Sequence, residues 1–206
     1  MEKLALLKNP TSRGWRKTHF KNVGIGHIRG YAGLVNTAKK ISEYIPPCKT
    51  FVEPFAGLGR ISKVVNAEHK ILNDKSDYAF NYLKKNFPND KISQKDFIDF
   101  TLENIYGDVF FFDPPWSMTE YKDGCLGRAF CDRTVKEYYD DILKMVKELL
   151  NNKICFIAGN KNNIYLKNSG LHLQLIQSRQ KIMGGRISTL LASNKPFNRY
   201  NQSILF

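Results

Sequence analysis

From about residue 31 onward, short apolar runs rich in β-branched residues alternate with segments whose apolar positions recur every three or four residues. The short runs predict strands, and the periodic segments predict amphipathic helices. The predicted strands cover residues 50–53, 69–73, 91–93, 108–112, 153–158, 171–178 and 187–192. The predicted helices cover residues 37–44, 60–67, 77–86, 98–105, 134–150 and 162–167. Alternation of this kind indicates an α/β fold, with seven strands in one sheet.

The last two predicted strands are joined by a segment that contains Gly184 and Gly185. Paired glycines suit a tight connection between antiparallel strands. A chain of 206 residues accommodates one domain with a short appendage. We therefore divide it into an N-terminal arm, residues 1–30, and a single α/β domain, residues 31–206.

The formal net charge is +13, which favours a polyanionic partner such as nucleic acid. Residues 8–30 are basic and glycine-rich, with Trp15, His19 and Phe20 interleaved. Two interpretations of this arm stay open. It either follows phosphates and stacks an aromatic side chain on a base, or it is a poorly ordered terminus.

The four cysteines include no C-x-x-C pair, and the four histidines show no ligand spacing, so the sequence predicts no metal site. It contains no apolar stretch of the roughly 20 residues that a membrane span needs. We expect a soluble protein that is not exported and that acts in the cytoplasm, including the nucleoid or a viral factory.

The strongest local signal is Phe110-Phe111-Phe112-Asp113-Pro114-Pro115-Trp116, an apolar run that stops at an acid, two prolines and an aromatic residue. The prolines cannot donate to a strand ladder, so Asp113 is expected at the carboxyl end of a buried strand, where ligands bind in α/β sheets. The Asp113 carboxylate and the Pro114 carbonyl offer two acceptors, and Trp116 offers a stacking face. This combination predicts a pocket for a flat ring with an amino group; a surface turn beside a core tryptophan is the alternative.

Three further strand ends carry polar or glycine residues that suit a ligand. The segment Phe51-Val52-Glu53-Pro54-Phe55-Ala56-Gly57-Leu58-Gly59 turns tightly, but Ser62 stands where a dinucleotide fingerprint needs its third glycine. This argues for an adenosine-containing cofactor smaller than NAD. Asp74 and Asp96 follow the next two strands, at positions where each could instead cap a helix.

These motifs, in this order, resemble the Dam-type adenine-N6 DNA methyltransferases of bacteria and phages. The similar segments lie between about residue 30 and residue 197. They are Tyr31-Ala32-Gly33, Val52 to Gly59, Asn73-Asp74, Asp96-Phe97, Asp113 to Trp116, and Gly184-Gly185. The resemblance implies a doubly wound, Rossmann-like methyltransferase sheet whose final strand is reversed.

It also implies S-adenosylmethionine as cofactor, and base flipping of a duplex target, as in restriction-modification enzymes. The implied cofactor-binding residues are Tyr31, Gly33, Glu53, Pro54, Phe55, Gly57, Gly59, Asp74, Asp96, Phe97 and Asp113. Among these, Asp74 would hold the ribose and Asp96 the adenine amino group. The implied catalytic residues are Asp113, Pro114, Pro115 and Trp116.

The chain departs from the family at three points. Leu34 and Val35 replace the usual Gly-Lys, so Lys39 or Lys40 would have to serve the cofactor's carboxylate. Trp116 replaces tyrosine, as in eukaryotic mRNA adenine-N6 methyltransferases, which keeps RNA open as a substrate. Only residues 98–112 separate Asp96-Phe97 from Asp113-Pro114-Pro115. Between these two motifs the family carries a long target-recognition insertion.

Target recognition must then come from the basic arm, from residues 117–133 or from a second protein. The first hypothesis is an adenine-N6 methyltransferase acting on DNA, and the second is the same reaction on RNA. The third is a catalytically inactive, nucleic-acid-binding subunit of a methyltransferase complex.

Overall fold

The computed structural model describes residues 35–115, 133–179 and 186–200 of the chain. The helices are α1 (Val35–Ser42), α2 (Asp77–Asn86), α3 (Phe97–Glu103), α4 (Val135–Glu148) and α5 (Ile164–Lys167). The strands are β1 (Cys48–Glu53), β2 (Ala67–Asn73), β3 (Lys91–Ser93), β4 (Val109–Phe112), β5 (Ile154–Asn160), β6 (His172–Arg179) and β7 (Arg186–Ser193). Each of the seven predicted strands is present, with ends shifted by two residues or fewer.

The strands form one sheet in the order β3-β2-β1-β4-β5-β7-β6. β1 pairs in parallel with β2 and β4, and β4 pairs in parallel with β5. β7 is antiparallel to both of its neighbours, β5 and β6. The predicted α/β sheet with a reversed final strand is therefore confirmed. Because β1 to β4 are mutually parallel, their carboxyl ends share one edge.

Both faces of the sheet are covered, as expected of a doubly wound fold. One face packs Phe110 and Phe112 of β4 against α3 and α4. The other face packs Phe111 against Ile41 of α1 and Ile61 of the segment after β1. All four residues of β4 are buried, which explains why this strand reads as an uninterrupted apolar run.

The predicted helix over residues 60–67 is wrong. Residues 54–66 form a series of turns, with hydrogen bonds such as that from Lys63 N to Gly59 O over 3.0 Å. The sheet explains why no helix extends through residue 67, because Ala67 opens β2 opposite Cys48 and the Cys48 N–H donates to Asn66 O over 3.2 Å. A helix that continued through residue 67 would remove this pairing.

Local sequence fixes where other helices begin. Ser76 caps α2, and Thr134 and Glu137 form a reciprocal capping box at α4.

Residues 1–34, with the predicted basic arm, and the paired glycines at 184–185 lie outside the described residues, so the division into arm and domain stays a prediction. Among the described helices, none combines the length and the hydropathy of a membrane span.

Candidate functional site

The carboxyl edge of the sheet brings together acidic residues that are far apart in sequence. Glu53 ends β1 and Asp74 directly follows β2, while Asp113 directly follows β4. In the order β2-β1-β4 these three strands are direct neighbours. Ligands of open α/β sheets bind at this edge, so it is the candidate site.

The turn after β1 is held against the end of β2 by two backbone donors. Ala56 N donates to Asn73 O over 2.8 Å, and Gly57 N donates to Asp74 Oδ2 over 2.9 Å. Gly57 and Gly59 have φ angles of 53° and 62°, a left-handed conformation that glycine adopts readily. The predicted glycine turn is present, and Asp74 fixes its position.

Asn73 joins three loops at this edge, a role that the sequence analysis did not assign. Its Nδ2 donates to the carbonyl oxygens of Pro54 and Lys95, each over 3.0 Å, and its Oδ1 accepts from Lys95 N over 2.8 Å. The side chain is buried. An asparagine directly before a strand-end acid was the available signal, because only an amide both donates and accepts in this way.

Asp74 is partly buried, and its carboxylate can accept hydrogen bonds beyond those it already makes. Its Oδ2 accepts from Gly57 N, and its Oδ1 accepts from Ser76 N over 2.9 Å. Burial raises the pKa of Asp74 to about 6, although these two N–H groups act in the opposite direction. Each carboxylate oxygen accepts about two hydrogen bonds, so both oxygens can take one further donor.

Glu53 is the most enclosed acid of the site, with 2% of its surface exposed. Its carboxyl group accepts a hydrogen bond from the hydroxyl of Ser62. Burial raises the pKa of Glu53 to about 8, and the nearby charges of Asp113 and Asp74 contribute to that rise. Glu53 is therefore mainly protonated at neutral pH. It lies close enough to Asp74 and Asp113 for their charges to affect its pKa.

Asp96 forms the centre of a cluster that the sequence analysis did not foresee. It caps α3 through Ile98 N at 3.1 Å, and Arg133 Nη1 donates to its Oδ2 over 2.9 Å. Arg133 Nη2 donates to Oδ1 over 3.3 Å, and Lys75 Nζ lies 3.5 Å from Oδ2. The contact predicted between Asp96 and a cofactor's amino group would compete with these cations. Arg133 could not be found from the sequence, where nothing connects it with Asp96.

Aromatic rings line the same end of the sheet. The ring centroids of Phe55 and Phe97 are 4.8 Å apart, and each ring is 5.7 Å from Tyr138 of α4. The guanidinium carbon of Arg133 lies 5.0 Å from the centre of the Phe97 ring. Phe55 and Phe97, both predicted as cofactor-binding residues, thus belong to one aromatic cluster.

Asp113 and Pro115 are partly exposed at the end of β4, and Pro114 between them is buried. Lys40, a predicted contact for a cofactor's carboxylate, donates instead to Gln177 O of β6, at the far side of the sheet. Trp116, Tyr31 and Gly33 lie outside the described residues. Within residues 35–115, 133–179 and 186–200, no group of histidine, cysteine or acidic residues is arranged to hold a metal ion.

Solved structures share this architecture. No protein-family profile and no curated protein matches the chain. The B. subtilis M1A22 tRNA methyltransferase TrmK is similar over 77% of this chain and 65% of its own, with a TM-score of 0.52 and 14% identity. A protein from Porphyromonas gingivalis W83 that has been assigned as a methyltransferase is similar over 79% of this chain and 41% of its own, with a TM-score of 0.52 and 18% identity.

The fold is that of a Rossmann-like methyltransferase. M. capricolum TrmK, solved with S-adenosyl-homocysteine, agrees with a TM-score of 0.50 at 8% identity, over 78% of this chain and 68% of its own. The chain spans less than two thirds of the length of both the B. subtilis and the P. gingivalis proteins. At these identities the similarity establishes the methyltransferase fold, and the chemistry has to be argued from the site.

Proposed function

We propose that this protein is an S-adenosylmethionine-dependent methyltransferase that methylates the exocyclic N6 amino group of adenine in DNA. The carrying observation is the arrangement of Glu53, Asp74 and Asp113 at the carboxyl ends of the three neighbouring strands β1, β2 and β4. It gathers the glycine turn, the acid after β2 and the Asp-Pro-Pro segment at one edge of a methyltransferase-type sheet. The similar TrmK structure with S-adenosyl-homocysteine supports the choice of cofactor.

The residues at β1 and β2 fit the adenosine part of this cofactor. Asp74 keeps acceptor capacity on both oxygens, which suits the two hydroxyl groups of a ribose. Gly57 places backbone rather than a side chain at the turn, so a ligand can approach closely. Phe55 is partly exposed and supplies apolar ring surface for a purine, and the buried ring of Phe97 supports it.

The groups after β4 suit an amine nucleophile that belongs to the substrate. The Asp113 carboxylate and the Pro114 carbonyl accept the two amino hydrogens, which draws the nitrogen from planar geometry and exposes its lone pair. Trp116 is proposed to stack on the base. The cofactor supplies a methyl group on a positively charged sulfur. Methyl transfer would form an N–C bond and break the S–C bond of the cofactor, and the Asp113 carboxylate would accept the proton that the nitrogen loses.

The net charge of +13 supports a nucleic-acid substrate. A second candidate is the same reaction on RNA, and the similarity to tRNA methyltransferases favours it. A third candidate is an inactive nucleic-acid-binding subunit; the engagement of Lys40 with Gln177 favours it, because it occupies one of the two lysines, Lys39 and Lys40, that were expected to serve the cofactor's carboxylate. Target recognition is assigned to the basic arm, to residues 117–133 or to a partner protein.

Methyl transfer from labelled cofactor to matched DNA and RNA oligonucleotides tests these candidates, with adenine-free strands as control. If label appears in adenine, and only in the DNA strands, the main proposal is supported. Preferential labelling of the RNA strands supports the second candidate. Methylation confined to cytosine or guanine would falsify the assignment of adenine. Calorimetry without detectable cofactor binding, together with retained binding of nucleic acid, would support the inactive subunit.

A further inference from the structure

The strands β6 and β7 extend farther than the neighbouring strand β5. The last residue of β5, Asn160, pairs with Thr189 of β7. Residues 186–188 of β7 lie beyond this point and pair with residues 177–179 of β6. We call these six residues the β6–β7 ribbon. Its first β7 residue lies three positions past Thr189, which is about 10 Å at a rise of about 3.3 Å per residue. The ribbon therefore projects from the carboxyl edge of the sheet.

The ribbon projects on the side of the sheet that is next to Asp113. Phe112 pairs with Ile157, so Asn160 lies two residues farther along the strand direction than Asp113, and Arg186 lies three residues farther still. Strands are about 4.8 Å apart, which places Arg186 about 10 Å to the side of Asp113 and about 16 Å beyond it. Both distances are within the length of about five base pairs, at about 3.4 Å per pair. A nucleic acid whose target base reaches Asp113 therefore passes close to the ribbon.

The part of the chain that forms this side of the sheet is basic. Residues 149–206 contain eight lysines and arginines but no aspartate or glutamate. Helix α1 belongs to the same core cluster as Ile176 of β6, and it adds two lysines and no acid. The acids of the candidate site, by contrast, lie at the ends of β1, β2 and β4. The strands at the carboxyl edge thus fall into a group followed by acids and a group with cations only.

Two arginines of the ribbon have an unfavourable relation to each other. Arg179 of β6 and Arg186 of β7 are directly opposed in the register. Opposed positions of an antiparallel pair have Cβ atoms about 5 Å apart, and like charges at such positions destabilise a sheet. A bound anion removes this cost. A phosphate group also matches the forked donor geometry of arginine.

Two lysines lie at the base of the ribbon. Lys40 of α1 donates to Gln177 O, so its ammonium group is held beside β6. An ammonium group has three donors, which leaves two for a ligand. Lys161 directly follows β5, and its side chain is exposed. Within residues 35–115, 133–179 and 186–200, neither lysine forms an ion pair with an acid.

We propose that the β6–β7 ribbon, with Lys40 and Lys161 at its base, binds the phosphate backbone of the nucleic acid close to the target base. This inference deepens the proposed function, on which it rests, because it names the side of Asp113 on which the substrate is held. Phosphate contacts position a nucleic acid without reading its sequence, so the surface serves DNA and RNA alike. The acids after β1 and β2 are left to the cofactor.

Binding of nucleic acid by two charge-matched variants tests this surface without any need for methylation. The test variant replaces three cations of the surface by glutamine: K40Q, K161Q and R186Q. The control variant replaces three exposed lysines in or beside α2, at the other end of the sheet: K63Q, K84Q and K85Q. Fluorescence anisotropy with labelled DNA and RNA oligonucleotides, at about 50 to 200 mM salt, gives the affinity and its salt dependence.

We expect the test variant to reduce the slope of log K against log salt by about 2 to 3, and the affinity at about 0.1 M salt at least 10-fold. The control variant has the same net charge, and its slope should stay within about 1 of the wild type. Equal changes in the two variants would show that binding follows net charge alone and would overturn the proposal.

Single variants of Arg186 separate binding from folding. Arg186→Gln removes one of two like charges, so the Tm should be unchanged or higher while the affinity for nucleic acid falls about 5-fold. Arg186→Lys keeps the charge and should retain most of the affinity. A lower Tm of Arg186→Gln with unchanged affinity for nucleic acid would show a structural role and contradict the proposal.

Failure of this inference can be told apart from failure of the proposed function. If the wild type binds nucleic acid through this surface but transfers no methyl group, the surface stands and the proposed function fails. If the wild type methylates adenine, and the test variant does so with the same kcat/KM, the proposed function stands and the surface fails.

Discussion

Arg133 and Asp96 form a two-pronged ion pair at the carboxyl edge of the sheet, with Nη1 2.9 Å from Oδ2 and Nη2 3.3 Å from Oδ1. The guanidinium also lies over the ring of Phe97. It thereby connects the start of α4 with the start of α3, and both helices cover the same face of the sheet. The strand ends and the helices that follow them are thus held at the candidate site by polar contacts as well as by packing.

The first prediction concerns this ion pair. Arg133→Gln should lower the free energy of unfolding by about 1 kcal/mol, since the pair is only partly exposed and has two-pronged geometry. Arg133→Lys should restore little of this loss, because an ammonium group cannot reproduce the fork. Urea denaturation measures both. Lys136→Gln, which breaks the exposed pair with Asp140, is the control and should cost less. Equal losses for Arg133→Gln and Lys136→Gln would contradict the role of Arg133.

The second prediction concerns Glu53 and pH. Its pKa of about 8 in the folded protein exceeds the value of about 4.3 in an unfolded chain. Between these values the folded state holds a proton that the unfolded state has released, so stability must fall as pH rises from about 5 to 8. Asp74, raised to about 6, adds a decline of the same sign at the lower end of this range.

Glu53→Gln should flatten the decline, which amounts to about 1–4 kcal/mol across this range. Thermal unfolding at pH 5, 6, 7 and 8 provides the measurement. Glu148→Gln, at an exposed side chain of α4, is the control and should keep the wild-type slope. If stability were independent of pH in both the wild type and Glu53→Gln, Glu53 would not be held protonated.

The third prediction separates catalysis from cofactor binding. Asp113→Ala should reduce methylation at least 100-fold, because the amino group loses its charged acceptor. Cofactor affinity should change little, since Asp74 and the glycine turn remain. Asp99→Ala, at an exposed position of α3, is the control. Simultaneous loss of cofactor binding and activity in Asp113→Ala would contradict the separate roles.

The fourth prediction compares two glycines with similar φ angles. Gly59 and Gly170 have φ angles of 62° and 76°. A Cβ on Gly59 would lie 2.4 Å from Phe87 Cζ, whereas a Cβ on Gly170 would meet nothing within 4 Å. Gly170→Ala should cost about 1 kcal/mol from backbone strain alone. Gly59→Ala should cost roughly 2–4 kcal/mol, because Phe87 must also move. Equal losses of unfolding free energy in denaturant titrations of the two variants would mean that the Phe87 ring moves aside without an energetic cost.

Much of the candidate site could be predicted because its residues are marked by local pattern. An apolar run that stops at Asp113-Pro114-Pro115 has to end a buried strand, and glycines at 57 and 59 have to form a turn. The end of the helix predicted over residues 60–67 was wrong for a non-local reason, since Ala67 belongs to β2 and pairs with Cys48. Local periodicity carries no information about such pairing.

By itself, the sequence determined the class of fold, the seven strands and the acids at their ends, because strand ends and turns follow from short-range patterns of apolar residues, proline and glycine. Only the tertiary structure decided which of these ends meet and what each acid contacts. The neutral state of Glu53, the engagement of Asp96 by Arg133 and the pairing of Asn160 with Thr189 all depend on strand order and burial. Charge, desolvation and hydrogen bonding act through space, so these features appear only when distant segments are packed together.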